Sequence, residues 1–175
     1  MQQKGSISTE KIGVLGSSAG GHLASTLGTH YEDIVIENPH NMSLRPDFMI
    51  LNYPVISFAD SLTHYGSRFN LIGTLPNDKL HEANSDQLPV DRDLISYYSN
   101  ELHVNDRTPP TFITHAYDDD GVKVQNSILF IAALQQHGVP VTSFFYANGG
   151  HGYGMDNPTS DIEWIDSCIK WIKSL

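Results

Sequence analysis

Gly16-Ser17-Ser18-Ala19-Gly20 fits the pattern G-x-S-x-G, with Ser18 at its centre. The short apolar run Ile12-Gly13-Val14-Leu15 precedes it and reads as a strand buried on both faces. Leu23, Ala24 and Leu27 follow at helical spacing to about His30, so the order is strand, tight turn, helix. A serine on so sharp a turn adopts a strained backbone. Side chains two residues to either side would collide with neighbouring chain, which calls for glycine at 16 and 20. The helix N-terminus behind Ser18 carries partial positive charge, and the Ala19 N–H is placed to bind a developing oxyanion. The plain alternative is a glycine-serine turn that caps a helix.

A serine hydroxyl is a poor nucleophile without a base, and the base needs a group to orient it. The chain has 9 histidines, so one alone proves little. His151 is singled out by its place: it sits among Gly149, Gly150 and Gly152, just after the strand Val141–Tyr146. The carboxyl end of a parallel strand is where open α/β sheets gather ligands and reactive loops. The acid is expected at the end of the preceding strand, where His115-Ala116-Tyr117-Asp118-Asp119-Asp120 offers three carboxylates in a row. Capping of the helix that begins near Val122 is a second role open to the trio, and the two roles are compatible. A metal centre is disfavoured. Asp118-x-Asp120-Gly121 lacks the remaining ligands of a calcium loop, and no H-E-x-x-H occurs. His22 reads as a first-turn histidine packed on the helix start, and Cys168, at helical spacing with Trp164, Trp171 and Leu175, as an inert core residue.

Elements must bring these residues together. Phe48–Tyr53 and Thr111–His115 supply two further strands; Val124, Ile128, Ile131 and Leu134 mark a helix closed by Gly138 and Pro140. A last helix is expected from Asn157-Pro158, with Ile162, Ile165, Ile169 and Ile172 on one face. Alternating strands and helices imply an α/β fold with a mostly parallel sheet between helical layers. Residues 57–108 break the rhythm: they are polar, with Gly66, Gly73, Pro76 and Pro89 and only short helical candidates such as Leu94–Tyr98. The segment reads as a lid-like insertion, against the plainer reading of an irregular surface excursion.

With 175 residues, 39% of them hydrophobic and 17% charged, the chain suits one globular domain spanning 1–175 and not a disordered polymer. A net charge of −10 without any Lys/Arg cluster argues against nucleic acid or an anionic membrane as partner. The single cysteine excludes an internal disulfide. There is no membrane-length apolar run, and Met1–Ser6 is too polar for a secretory leader, so the location expected at face value is the cytoplasm.

Gly16 through Ala24 closely resembles the nucleophile elbow of α/β-hydrolase serine esterases, nearest the acetyl-xylan-esterase and carbohydrate-acetylesterase-like group. Arg45-Pro46-Asp47-Phe48, Tyr53-Pro54-Val55-Ile56, Thr63-His64-Tyr65-Gly66-Ser67, Ser99-Asn100-Glu101-Leu102 and Thr108-Pro109-Pro110-Thr111-Phe112 are similar to the same group, so the likeness runs over nearly the whole chain. The order Ser18, Asp, His151 is the order of that fold. The family's acid motif, laid on His115 and Val122, selects Asp119, with Asp120 as runner-up; Ala116 stands where glycine is frequent.

The resemblance implies hydrolysis of short acyl esters, plausibly acetylated oligosaccharides, by Ser18, His151 and Asp119 with the Ala19 N–H, and with no cofactor. It also implies strands, and a His-Gly-Gly loop with a second oxyanion donor, ahead of the elbow. This sequence has only a short stretch there, so it reads as the C-terminal part of such a fold. The strand at Ile12–Leu15 is then an apolar edge, open to pairing with a second copy, and a weakened or absent activity is expected. Two rival readings stay open: a peptidase of the prolyl-oligopeptidase kind, and a non-catalytic hydrolase fragment that acts through a partner.

Overall fold

The computed structural model describes residues 10–33, 37–74 and 91–175. Within them lie the strands β1 (Gly13–Ser17), β2 (Phe48–Asn52), β3 (Thr111–Ala116) and β4 (Val141–Tyr146). They run side by side in the order β1-β2-β3-β4, each neighbouring pair parallel. Parallel neighbours need a crossover. α1 (Ala19–His30) follows β1, α4 (Gln125–Gln136) links β3 to β4, and α5 (Trp164–Ile172) follows β4. Between β2 and β3 come α2 (Tyr65–Ile72), α3 (Arg92–Tyr97) and a 3₁₀ turn at Asn100–Leu102.

Strand alternation divides the core into two faces. Met49, Leu51 and Ile113 pack against Ala24 of α1 and Phe130 and Leu134 of α4. Ile50, Phe112, Ala116 and Tyr146 pack against Trp164 and Cys168 of α5. The result is a sheet with helices on both sides, the three-layer α/β/α arrangement expected. Ser17 is level with Asn52, Asn52 with Thr114, and Thr114 with Phe144, so the chain leaves all four strands along one carboxyl rim.

Two expectations are corrected. β1 is not buried on both faces: it is an edge strand of the described sheet, as expected of it in this chain, and Leu15 is 52% exposed. The last helix starts at Trp164 and not near Asn157. Asn157 is fully buried; its amide donates to Asn148 O at 2.8 Å and its Oδ1 accepts from Thr159 N at 3.1 Å, closing a turn that staples the loop after β4. The buried face of α5 is accordingly Trp164 and Cys168, while Ile162 and Ile169 are exposed.

The 57–108 segment is better built than a polar excursion. Val55, Phe58, Ile72 and Val122 form a third apolar cluster beneath it. Asn126 of α4 accepts the Ile56 and Ser57 N–H groups at 3.0 Å each, and Asn100 donates to Ser25 Oγ at 2.7 Å, tying the segment to α4 and α1. Asp91 caps α3 by accepting from Asp93 N and Leu94 N at 2.9 and 3.0 Å, so the short helix expected at 94–98 begins two residues earlier, at Arg92. Pro76 and Pro89, like Met1–Ser6, lie outside the described residues. No helix among the described residues is long and apolar enough to cross a membrane.

Candidate active site

Ser18 is the single residue between the end of β1 and the start of α1, and its backbone is at φ 55°, ψ −123°. A side chain costs about 1–3 kcal/mol in such a region, so neighbours must hold it there. Ser18 N donates to Asn52 O at 3.0 Å; Ser18 O accepts from Gly21 N, His22 N and Val55 N at 2.9, 3.2 and 3.1 Å. Space is equally restricted. A Cβ on Gly16 would lie 2.0 Å from Gly20 O, and one on Gly21 would lie 2.6 Å from Pro54 Cβ. At Gly20 a Cβ would meet nothing within 4 Å outside its own helix, so the steric demand for glycine falls on 16 and 21 and not on 16 and 20. Ala19 opens α1, and its N–H is among the first four that no intrahelical carbonyl can accept. The first turn carries no acidic side chain to offset the positive end of the helix.

The histidine and one aspartate converge on this serine. Ser18 Oγ lies 2.8 Å from His151 Nε2, and His151 Nδ1 lies 2.8 Å from Asp119 Oδ2. Nδ1 donates to the carboxylate, which leaves Nε2 to accept from the hydroxyl. Asp119 Oδ1 accepts from Gly121 N at 2.9 Å and Val122 N at 2.8 Å, so one carboxylate both caps the turn and orients the ring. His115 is fully buried behind it. Its Nε2 faces two acceptors, Val122 O at 2.9 Å and Asp119 Oδ2 at 3.1 Å, so it carries the proton, and Nδ1 accepts from Ser127 Oγ at 2.7 Å. Burial pushes the Asp119 carboxyl up, but bonds from His115, His151 and Val122 outweigh it and hold the group below its ordinary range. Asp120 is exposed; Asp118 accepts from Gly150 N at 2.8 Å and so braces the loop that carries His151.

Residues that spacing alone did not single out complete the setting. The Tyr53 ring meets the His151 ring edge-on with centroids 4.9 Å apart, and Tyr153 backs Tyr53 at 4.7 Å. Tyr53 Oη accepts from Gly154 N at 3.1 Å, while Asn52 Nδ2 and Trp164 Nε1 each donate to Gly154 O at 2.9 Å. Tyr53 itself is at φ 38° just before Pro54, a bend for which residue type gives no signal. The polar Asn52 at the end of an otherwise apolar strand was the available clue.

Beside Ala19 opens a cavity of about 630 Å³, lined among others by His22, Leu23, Phe58, His64, Leu71 and Tyr98. His22 behaves as the packed first-turn residue expected: it stacks on Phe58 at 4.5 Å and donates through Nε2 to Tyr98 O at 2.9 Å. Burial lowers its pKa, so the ring is neutral at pH 7. Among the described residues no group of three His, Cys, Asp or Glu side chains could hold a metal ion. What remains is a hydroxyl donating into an imidazole whose far nitrogen is fixed by a buried carboxylate. Such a chain of bonds makes a serine nucleophilic.

Comparison with known proteins supports the same direction. The chain is 34% identical over 175 residues to an acetylxylan esterase of Xylanibacter ruminicola, covering 97% of this chain and 32% of that protein. It is 35% identical over 163 residues to endo-1,4-beta-xylanase B of Butyrivibrio fibrisolvens, covering 92% of this chain and 23% of that one. An acetyl ester-xyloside bifunctional hydrolase from Caldicellulosiruptor lactoaceticus superposes with a TM-score of 0.75 at 40% identity, over 93% of this chain and 56% of the other. The chain thus spans a quarter to a third of these curated relatives and about half of the solved one. The sheet and its flanking helices are those of α/β hydrolases. The BD-FAE family model matches residues 2–134, three quarters of the sequence with the elbow and the aspartate turn inside, and the chain belongs to that family.

Proposed function

We propose that this chain is a serine carboxylic-ester hydrolase acting on short acyl esters of carbohydrates, acetyl esters above all. The observation that carries the reading is the unbroken pair of 2.8 Å contacts from Ser18 through His151 to Asp119. Ser18 Oγ attacks the ester carbonyl while His151 Nε2 takes its proton. Asp119 fixes the ring tautomer and stabilises the imidazolium, and the Ala19 N–H at the positive end of α1 binds the oxyanion. His151 returns the proton to the departing alcohol, leaving an acyl group on Ser18. Water repeats the sequence and releases the acid; no cofactor takes part. The choice of acetylated sugar rests on the names carried by the relatives.

The test is turnover of p-nitrophenyl acetate and labelling by a fluorophosphonate, with Ser18→Ala alongside. The wild-type chain is expected to label and to turn over weakly, with the Ala19 N–H as the one oxyanion donor assigned, and Ser18→Ala to lose both the turnover and the label. Labelling that survives the substitution removes Ser18 from the role.

A further inference from the structure

Among the described residues that line the cavity beside Ala19, His64 is a ring with a nitrogen left over to donate. His64 is the N-cap of α2: its Nδ1 accepts from Ser67 N at 3.2 Å and lies 2.9 Å from Ser67 Oγ. A nitrogen that accepts a backbone N–H bears no proton, so in the neutral ring the proton is on Nε2. Nε2 has no hydrogen-bond partner among the described residues, and His64 lines the cavity, so a fixed N–H donor borders the space next to Ser18.

The surrounding segment holds that ring in place. A side chain at Gly66 would crowd His64 Cε1 at 3.2 Å. Arg68, one turn on, is fully buried and bonds Phe58 O at 3.0 Å, Asp60 Oδ1 at 2.6 Å and Thr74 Oγ1 at 3.1 Å, which locks the start of α2 to the strand-exit loop. Burial pushes His64 below its ordinary pKa, so at pH 7 it is a neutral donor and not a cation. In an acetylated carbohydrate the hydroxyl groups lie on the alcohol half, since the acetyl group carries none, so a donor bordering the cavity beside Ala19 has that half to meet.

We infer that His64 is a specificity-determining residue whose Nε2–H donates to a hydroxyl oxygen on the alcohol half of the substrate, selecting polyhydroxylated alcohols such as sugars over plain alkyl ones. The inference rests on the serine-esterase reading and adds the side of the substrate that the cavity recognises. A half-buried donor that meets a substrate hydroxyl discriminates against the analogue lacking it, because the donor is then left unpaired when the ligand fills the cavity.

The test compares two acetyl esters of the same carbon count, glycerol monoacetate and propyl acetate, in wild type and in His64→Asn. Asparagine keeps an acceptor for Ser67 N, as its N-cap preference requires, and removes the distant N–H. The ratio of kcat/KM for glycerol monoacetate over propyl acetate is expected to fall about fivefold to tenfold, mainly through KM. The same fall on both esters, or no fall on either, overturns the assignment, since a structural cap would move them together. A change confined to acetate against butyrate esters overturns it too and moves His64 to the acyl side. Hydrolysis of neither ester by the wild-type chain, with no fluorophosphonate label, overturns the esterase reading and this assignment together. Turnover of both with an unmoved ratio overturns the assignment alone.

Discussion

At the Ser18 turn one non-glycine residue sits at φ 55° with packed chain against Gly16 and Gly21, whereas the His151 loop reaches its shape through Gly150, Gly152 and Gly154 at φ 61°, 85° and 64°. The serine turn is limited by space: Gly16 and Gly21 are needed because Gly20 O and Pro54 occupy the places their side chains would take. The histidine loop is limited by backbone conformation, since a Cβ on Gly150 or Gly152 would meet nothing within 4 Å among the described residues. The difference follows from what each turn presents. The serine must be held in one geometry against its own strain, and the crowding does that. The histidine ring is oriented through its side chain, by Asp119, Tyr53 and the brace from Asp118, so its backbone needs only to arrive.

Substitutions can separate space from conformation. Gly16→Ala is expected to cost the most stability, about 3 kcal/mol or more, because backbone must move to admit the methyl; urea unfolding measures it. Asp119→Asn comes next at about 2 kcal/mol near pH 7, with kcat down about 10⁴-fold, since an amide turns a donor toward His115 or His151. Its pH dependence has a fixed sign. The native carboxyl lies below its ordinary value of 3.8, so its contribution is full above that pH and is lost as pH falls through the native pKa. The stability gap between wild type and Asp119→Asn therefore narrows on acidification below about pH 4. Gly150→Ala is expected to cost about 1–2 kcal/mol with no clash, the conformational penalty alone. Gly20→Ala closes the series: neutral, or stabilising by up to about 1 kcal/mol, because alanine favours the helix and nothing outside it is displaced. A Gly20→Ala cost equal to that of Gly16→Ala would erase the contrast.

The sheet was legible in the sequence because each strand is a short apolar run ended by glycine, proline or polar residues, and all four fall within a residue or two of the expected bounds. Ser18, His151 and Asp119 were legible for a chemical reason, since an elbow serine requires a base and an acid on later strand ends. Asp119 was separable from Asp120 only through the resemblance, because three adjacent carboxylates carry no periodicity to tell them apart. The geometry distinguishes them by burial and by the Gly121 and Val122 N–H groups. Asn157-Pro158 misled because an asparagine that closes a turn and one that caps a helix leave the same local trace. The contact that decides is with Asn148, and it is made in space. Tyr53 and His64 went unassigned for a similar reason: an aromatic at a strand end and a histidine in a polar loop gain meaning only from the ring and the cavity they face.

Cys168 is the chain's one thiol, fully buried on the sheet-facing side of α5, and burial pushes it up to about 11. A sulfur so placed reacts with a disulfide reagent only while α5 is lifted from the sheet. The native chain therefore carries its own gauge of local opening: the rate of thiol modification, divided by the rate in the denatured chain, gives the free energy of detaching that outer helix without any label being engineered in.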